Sequence, residues 1–160
     1  MRRAPGFTLI ETMIVVAIAG IILAFGLPAF LGYQQTLDKV QARQRLIQDL
    51  RVARQIAVTQ HRNVLMTFGT PPTTTDITSY TTLIDANGNG AADAGERVIS
   101  HTMPKGVLLT QVNLNPTDKL FFDPSGSLAP GTTGGTLIST NGRGRADTLY
   151  ISGVGMVYSR

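Results

Sequence analysis

Hydrophobic and polar positions divide the chain into three parts. An apolar run begins at Phe7, and Met13–Leu31 holds no charged or strongly polar side chain. Further along, apolar residues recur at steps of four, three and four, which is typical of one helix face: Leu46, Leu50, Ala53 and Ala57. Beyond Asn63, short β-like runs alternate with turns. The pattern therefore predicts a long N-terminal helix followed by a β-rich domain.

The apolar run is long enough to cross a membrane. As a helix, Phe7–Leu31 would measure roughly 37 Å, and a hydrocarbon core is ~30 Å thick. Gly20, Gly26 and Pro28 interrupt the run. Because proline removes a backbone donor, a bend or local melting is predicted there. The helical pattern resumes after Tyr33, so one helix is expected from Phe7 to about Gln60.

Eight short strands are predicted in the remainder of the chain. They are Asn63–Phe68, Ser79–Ile84, Arg97–His101, Val107–Val112, Leu120–Phe122, Thr136–Ser139, Thr148–Ile151 and Gly155–Tyr158. Proline and glycine mark turns at residues 103–106 and 123–126. Two antiparallel sheets packed on an amphipathic helix would bury this pattern, which gives an α+β fold class.

Composition and charge exclude several kinds of protein. The 160 residues suit one modest domain beyond the apolar helix, and the absence of cysteine excludes disulfides and thiol chemistry. The net charge of +4 includes Arg2 and Arg3, and it falls to +2 without them. That excess is too small to imply nucleic-acid binding by itself. The two arginines predict a cytoplasmic N-terminus and a translocated remainder.

Glu11 is the unusual residue of the apolar run. A carboxylate at such a position costs on the order of 2.5–3.5 kcal/mol, so it needs a partner. Gly6 stands between the basic leader and Phe7. A secretory signal peptide would instead place its cleavage site after the apolar region.

This combination of Gly6, Phe7 and Glu11 resembles the class III signal of type IV prepilins and type II secretion pseudopilins. The resemblance implies that prepilin peptidase cleaves the Gly6–Phe7 bond and methylates the new amine of Phe7. It also implies that Glu11 is an assembly residue, neutralised by the amine of a neighbouring subunit. The alternative is a carboxylate that snorkels to the lipid headgroups.

The passage from Leu46 to Phe68, with its Ala53-Arg54 pair, is similar to the H-type minor pseudopilins, the subfamily of FimT and FimU. The resemblance implies a pilin-like chain with four segments: a leader peptide (1–6), a transmembrane and filament-core helix (7–31), the amphipathic half of the same helix (32–62) and a periplasmic β domain (63–160). The basic residues of the helix are interpreted as a solvated or subunit-facing surface, partly balanced by Asp38 and Asp49.

The implied function is structural. The resemblance describes a minor pilin or pseudopilin in the tip or initiation complex of a type II secretion pseudopilus or a type IV pilus. The expected partners are other minor and major pilins or pseudopilins, prepilin peptidase and the inner membrane. A single-pass protein with a cytoplasmic N-terminus would later enter the filament. An unprocessed, membrane-anchored binding domain is the alternative.

One acidic loop has the spacing of a calcium site. Its oxygen-bearing side chains fall at positions 1, 3, 5, 9 and 12 of an EF-hand-type loop: Asp85, Asn87, Asn89, Asp93 and Glu96. Both flanks are predicted strands rather than helices, and Asn-Gly pairs are strong turn formers. A calcium loop and a plain hairpin loop both remain open.

A second loop offers a DNA-binding hypothesis. Gly142, Arg143 and Arg145 match the Gly-Arg-x-Arg motif that is associated with DNA binding in FimT proteins of naturally transformable bacteria. Two arginines on a glycine-rich backbone can contact a phosphate chain, although Asp147 subtracts charge. The alternative is an exposed turn between two strands.

The sequence does not predict an enzyme. His61 and His101 are far apart and belong to no recognisable zinc pattern. Neither a Gly-x-Ser-x-Gly elbow nor a phosphate-binding loop occurs.

Overall fold

The computed structural model describes Gly6 and residues 8–69, 76–115, 118–141 and 146–159. The chain forms two compact units, Met1–Thr36 and Leu37–Arg160. The first unit holds the N-terminal part of a helix, and the second holds the rest of that helix and all the described strands.

Helix α1 spans Leu9–Gln60. It begins one residue after Thr8 and passes through Gly20, Gly26 and Pro28 without interruption, so the local melting expected at these positions is absent. At the other end, His61 adopts a positive φ of 50° and the amide of Arg62 donates to the carbonyl of Ala57. This bond is the one that ends helices in a Schellman motif, here without the usual glycine.

In the described part of the chain eight strands follow α1, and all eight were predicted. They are β1 (Asn63–Phe68), β2 (Ser79–Asp85), β3 (Arg97–Thr102), β4 (Val107–Asn115), β5 (Lys119–Phe122), β6 (Thr133–Asn141), β7 (Ala146–Ile151) and β8 (Val157–Ser159). The predicted bounds differ most at β6, which begins three residues before Thr136. The predicted start of β8 is also wrong, because Gly155 lies in a turn with a φ of 75°.

The strands form two four-stranded antiparallel sheets. The first sheet has the order β3-β2-β1-β5, and the second has the order β4-β6-β7-β8. A bridge connects them: the amides and carbonyls of Ile77 and Leu109 exchange hydrogen bonds of 2.9 and 3.0 Å. The predicted α+β class, a long helix with a two-sheet domain, is confirmed.

One core joins α1 to both sheets within the second unit. The predicted helix face is fully buried, since Leu46, Leu50, Ala53 and Ala57 are each exposed by 1% or less. Its partners in the same cluster come from both sheets and include Val64, Met66, Phe68, Leu109, Leu120, Phe122, Leu137 and Leu149. Small alanines on the helix leave room for large side chains on the strands, which lets the layers approach closely.

Candidate assembly segment and head surfaces

The start of α1 carries the first candidate site. The hydroxyl Oγ1 of Thr8 accepts a hydrogen bond of 3.3 Å from the amide of Glu11, which makes Thr8 the N-cap. Glu11 is the third residue of the helix, so the pair has the Thr-x-x-Glu spacing of a capping box. The sequence analysis treated Glu11 only as a carboxylate in lipid and missed this spacing. The order Thr8-Leu9-Ile10-Glu11 would have shown it.

The predicted processing and assembly residues are only partly described. Gly6 is exposed, and a Cβ added there would meet nothing within 4 Å, whereas Phe7 lies outside the described residues. Glu11 is exposed and forms no ion pair with any described side chain. A carboxylate inside an apolar segment is costly unless it has a partner, and no described side chain provides one for Glu11.

The apolar part of α1 is uncovered. By length and composition, α1 contains a stretch able to cross a membrane, and none of that stretch is buried. Its large side chains are more than half exposed, including Leu9, Ile10, Met13, Ile14, Val15, Val16, Ile22, Leu23, Phe25, Leu27 and Phe30. An apolar surface of this extent must be covered by lipid or by other apolar helices.

Three basic residues of α1 bind groups of the β domain, whereas a solvated or subunit-facing surface was predicted. Lys39 and Arg43 both approach Asp147 Oδ2 of β7, at 4.0 and 3.6 Å, and Lys39 Nζ also donates to the carbonyl of Ala146 at 3.2 Å. Arg54 Nε donates to the carbonyl of Gly126 at 2.7 Å. These contacts attach α1 to the loops and strands of the β domain, and they are long-range contacts that sequence spacing could not indicate.

Asp49, which was expected to balance the basic residues of α1, belongs to a separate polar cluster. Its Oδ2 accepts a hydrogen bond of 2.5 Å from the Tyr80 hydroxyl and lies 3.1 Å from His101 Nδ1. The Tyr80 and His101 rings stack with centroids 4.8 Å apart. Burial first, and then the hydrogen bond to Asp49, raise the pKa of the Tyr80 hydroxyl far above its ordinary value. The cluster therefore bonds α1 to β2 through Tyr80 and to β3 through His101.

The same cluster has the order of a hydrolase triad but not its accessibility. Thr82 Oγ1 lies 3.2 Å from His101 Nε2, so hydroxyl, imidazole and carboxylate follow one another. A nucleophile must reach its substrate, and Thr82 is only 3% exposed. The arrangement therefore stabilises the fold and does not form a catalytic site.

The predicted calcium loop is held together by its own hydrogen bonds. Asp85 is 1% exposed, and its two oxygens accept from the amides of Gly88 and Gly90 at 2.6 and 2.7 Å. Both Glu96 oxygens likewise accept from loop amides. Asp93 Oδ2 accepts from the side-chain amides of Asn87 and Asn89, and these bonds lower the pKa of Asp93.

This conformation does not present a ready calcium site. In the described part of the chain, no group of three or more His, Asp or Glu side chains is placed to hold a metal ion. Calcium binding would have to replace the amide hydrogen bonds of Asp85 and Glu96. The calcium hypothesis remains a prediction, and its test is a calcium titration of the melting temperature: an unchanged value would reject it.

The predicted DNA-binding residues lie outside the described residues, as do all four positions 142–145. Their flanks are described: β6 ends at Asn141, β7 begins at Ala146, and Thr140 pairs with Ala146. Asp147, the second residue of β7, forms ion pairs with Lys39 and Arg43. The carboxylate that was expected to subtract charge from Arg143 and Arg145 therefore has two cations of its own.

Comparisons with known proteins agree with this geometry. Residues 42–155 match the family described as Type II transport protein GspH, and residues 1–27 match the prokaryotic N-terminal methylation motif. Crystal structures of the type IV minor pilin FimU of Pseudomonas aeruginosa are similar in fold. One is 20% identical with a TM-score of 0.58, covering 80% of this chain and 92% of FimU. A second crystal form of FimU is 22% identical with a TM-score of 0.53, and the match covers 75% of this chain and 90% of FimU.

Proposed function

Because the chain belongs to the GspH family, whose members are structural pilin subunits rather than enzymes, we propose that it works in the tip or initiation complex of a type II secretion pseudopilus or a type IV pilus. The methylation motif over residues 1–27 and the pilin-like fold support this role. The observation that carries it is the N-terminal segment: an exposed apolar helix whose one carboxylate, Glu11, has no ion-pair partner among the described residues.

In this proposal each segment has a mechanical task. The leader (1–6) is removed after Gly6, the helix of residues 7–31 packs in the membrane and then in the filament, and the β domain (63–160) lies in the periplasm against neighbouring pilins. Cleavage creates a cationic amine at Phe7. That amine on one subunit compensates Glu11 on the next and sets the axial position of each subunit.

Mass spectrometry of the N-terminus tests the proposal. The full chain is isolated from the membranes of cells with an active prepilin peptidase. We expect a chain that begins with N-methylated Phe7, and we expect the same cells without the peptidase to retain residues 1–6. A chain that keeps its leader when the peptidase is active would reject filament assembly. It would support an unprocessed, membrane-anchored binding domain instead.

A DNA-receptor function is the second candidate, and one observation favours it. Asp147, two residues beyond the motif, is bound by Lys39 and Arg43, so the described residues next to positions 142–145 bring two cations for one carboxylate. A cationic hairpin end of this kind binds phosphate oxygens through charge-assisted hydrogen bonds.

Electrophoretic retardation of duplex DNA tests this second function. Reversing both charges (Arg143→Glu with Arg145→Glu) should abolish retardation by the purified full chain. The matched control is Lys105→Glu, which reverses an exposed cation elsewhere in the β domain. Equal retardation by the double variant and the wild type would reject the motif as the DNA contact.

A further inference from the structure

A groove runs beside the C-terminal turns of α1. It is lined by Arg51, Arg54, Gln55 and Val58 and has a volume of about 480 Å³. All four residues are exposed, and Val58 keeps 41% of its surface accessible. We refer to it as the arginine–valine groove.

The turn after β5 lies close to two residues of this groove. Gly126 has a φ of 79°, and a Cβ there would lie 2.6 Å from Val58 Cγ2. Glycine therefore lets the turn approach α1 closely, and its carbonyl accepts the bond from Arg54. A Cβ on Gly155 would lie 3.7 Å from the same carbonyl, so the β7–β8 turn lies next to the turn after β5.

The β7–β8 turn also carries exposed apolar side chains. Val154 and Met156, on either side of Gly155, are 56% and 61% exposed. Within the groove itself, Val58 is an exposed apolar side chain beside two arginines of the same helix. An apolar side chain among charged ones is typical of a protein-binding surface rather than of a solvated face.

The cations of the groove are not neutralised within the chain. Arg51 has no ion-pair partner among the described residues, and Arg54 uses only Nε. Asp123, the carboxylate of the adjoining turn, accepts bonds from Ser125 and Ser127 instead. The hydrogen bond from the Ser125 side chain lowers the pKa of Asp123. Among the described residues the groove therefore presents a positive charge without a matching carboxylate, and an external anion can balance it.

We infer that the arginine–valine groove binds an acidic peptide segment, carrying at least one apolar side chain, from a neighbouring filament subunit. Guanidinium groups pair with carboxylates through two parallel hydrogen bonds, and Val58 supplies an apolar contact. A phosphate chain would fit less well, because it would leave Val58 uncovered and the described lining residues include no aromatic ring for base stacking. The inference rests on the proposed filament function and names one contact within it.

Pairwise binding of full-length subunits in detergent tests the inference. The chain is measured against each of the other pilin-like subunits of the same cell, as wild type, Arg51→Glu and Arg54→Glu. We expect each variant to weaken binding to one particular subunit by about tenfold or more, as reversing a central interface arginine does. Arg97→Glu on β3, an exposed arginine far along the chain from the groove, is the matched control and should bind as wild type.

Arg51→Glu is the deciding variant, because Arg51 makes no described contact within the chain and its replacement should not disturb folding. Wild-type affinity of Arg51→Glu for every subunit would overturn the inference while leaving leader removal and filament incorporation intact. If the wild-type chain bound no subunit and also kept its leader, both the groove inference and the proposed filament function would be rejected. Loss of DNA retardation with unchanged subunit affinity would overturn the inference in favour of a nucleic-acid surface.

Discussion

At the residue scale, the polar cluster of Asp49, Tyr80 and His101 connects α1 to β2 and β3 within the second unit. Tyr80 is 2% exposed, and its hydroxyl has the Asp49 carboxylate as its hydrogen-bond acceptor. A buried hydroxyl without an acceptor loses its hydration and gains nothing in return. Single substitutions in this cluster therefore separate its contribution from that of the apolar core.

Tyr80→Phe should lower the free energy of unfolding by about 1–3 kcal/mol, since it removes the donor to a carboxylate but keeps the ring. Urea unfolding of the full chain in detergent, followed by near-ultraviolet circular dichroism, measures the change. Tyr158→Phe is the control, because Tyr158 is 53% exposed. Equal stability of the two variants would show that the Tyr80–Asp49 bond contributes nothing.

The raised pKa of Tyr80 predicts a loss of stability in alkali. Above about pH 10, the ordinary pKa of tyrosine, the unfolded chain releases the phenolic proton while the folded chain retains it. The free energy of unfolding should therefore fall as pH rises, and this contribution is fully present only below that pH. Tyr80→Phe should lack this part of the pH dependence in the same urea experiment. An identical alkaline decline in both proteins would contradict the assignment.

At the element scale, α1 has one buried face and one exposed face within the second unit. The buried face was predicted from its periodicity, whereas the use of Lys39, Arg43 and Arg54 was not. Apolar periodicity follows from the helix alone, because side chains four residues apart lie above one another. Ion pairs depend on which strand lies opposite, and Asp147 is more than 100 residues away from Lys39.

Leu50→Ala should destabilise the protein by about 2–5 kcal/mol, the usual cost of removing a fully buried leucine. Val52→Ala is the matched control on the same helix, since Val52 is 51% exposed and surface changes cost less than about 0.5 kcal/mol. Urea unfolding compares the two variants. Similar costs would mean that α1 does not pack on the sheets through this face.

Gly126→Ala should lower the free energy of unfolding by about 1–3 kcal/mol because of the positive φ alone. The contact of the new Cβ with Val58 should lower it further. Gly106→Ala isolates the first effect, because Gly106 has the same φ of 79° and nothing within 4 Å of an added Cβ. The difference in melting temperature between the two variants measures the closeness of the turn to α1. Equal melting temperatures would show that the turn can move away from Val58 without a loss of stability.

At the scale of the whole molecule, the two compact units have different relations to their surroundings. The second unit buries its own core, whereas the apolar stretch of the first is wholly uncovered. The first unit therefore depends on lipid or on other apolar helices to cover it. This division follows from the sequence, because Met13–Leu31 contains no polar residue with which to face water.

Glu11→Ala should leave the protein in the membrane and remove it from the filament, because insertion becomes easier while the partner of the Phe7 amine is lost. Immunoblots of membrane and sheared-filament fractions measure both outcomes. Thr12→Ala, which changes the neighbouring polar residue, is the control and should be incorporated normally. Incorporation of Glu11→Ala at the wild-type level would contradict the role of Glu11.

Local patterns in the sequence determined the long helix, its buried face and the eight strands of the described residues. These features depend on the periodicity of side chains and on turn residues, which neighbouring positions specify among themselves. The tertiary structure alone decided that Asp49 meets Tyr80 and His101, that Asp147 binds Lys39 and Arg43, and that Gly126 approaches Val58. Those contacts join residues distant in sequence, so only the packing of α1 on the two sheets can select them.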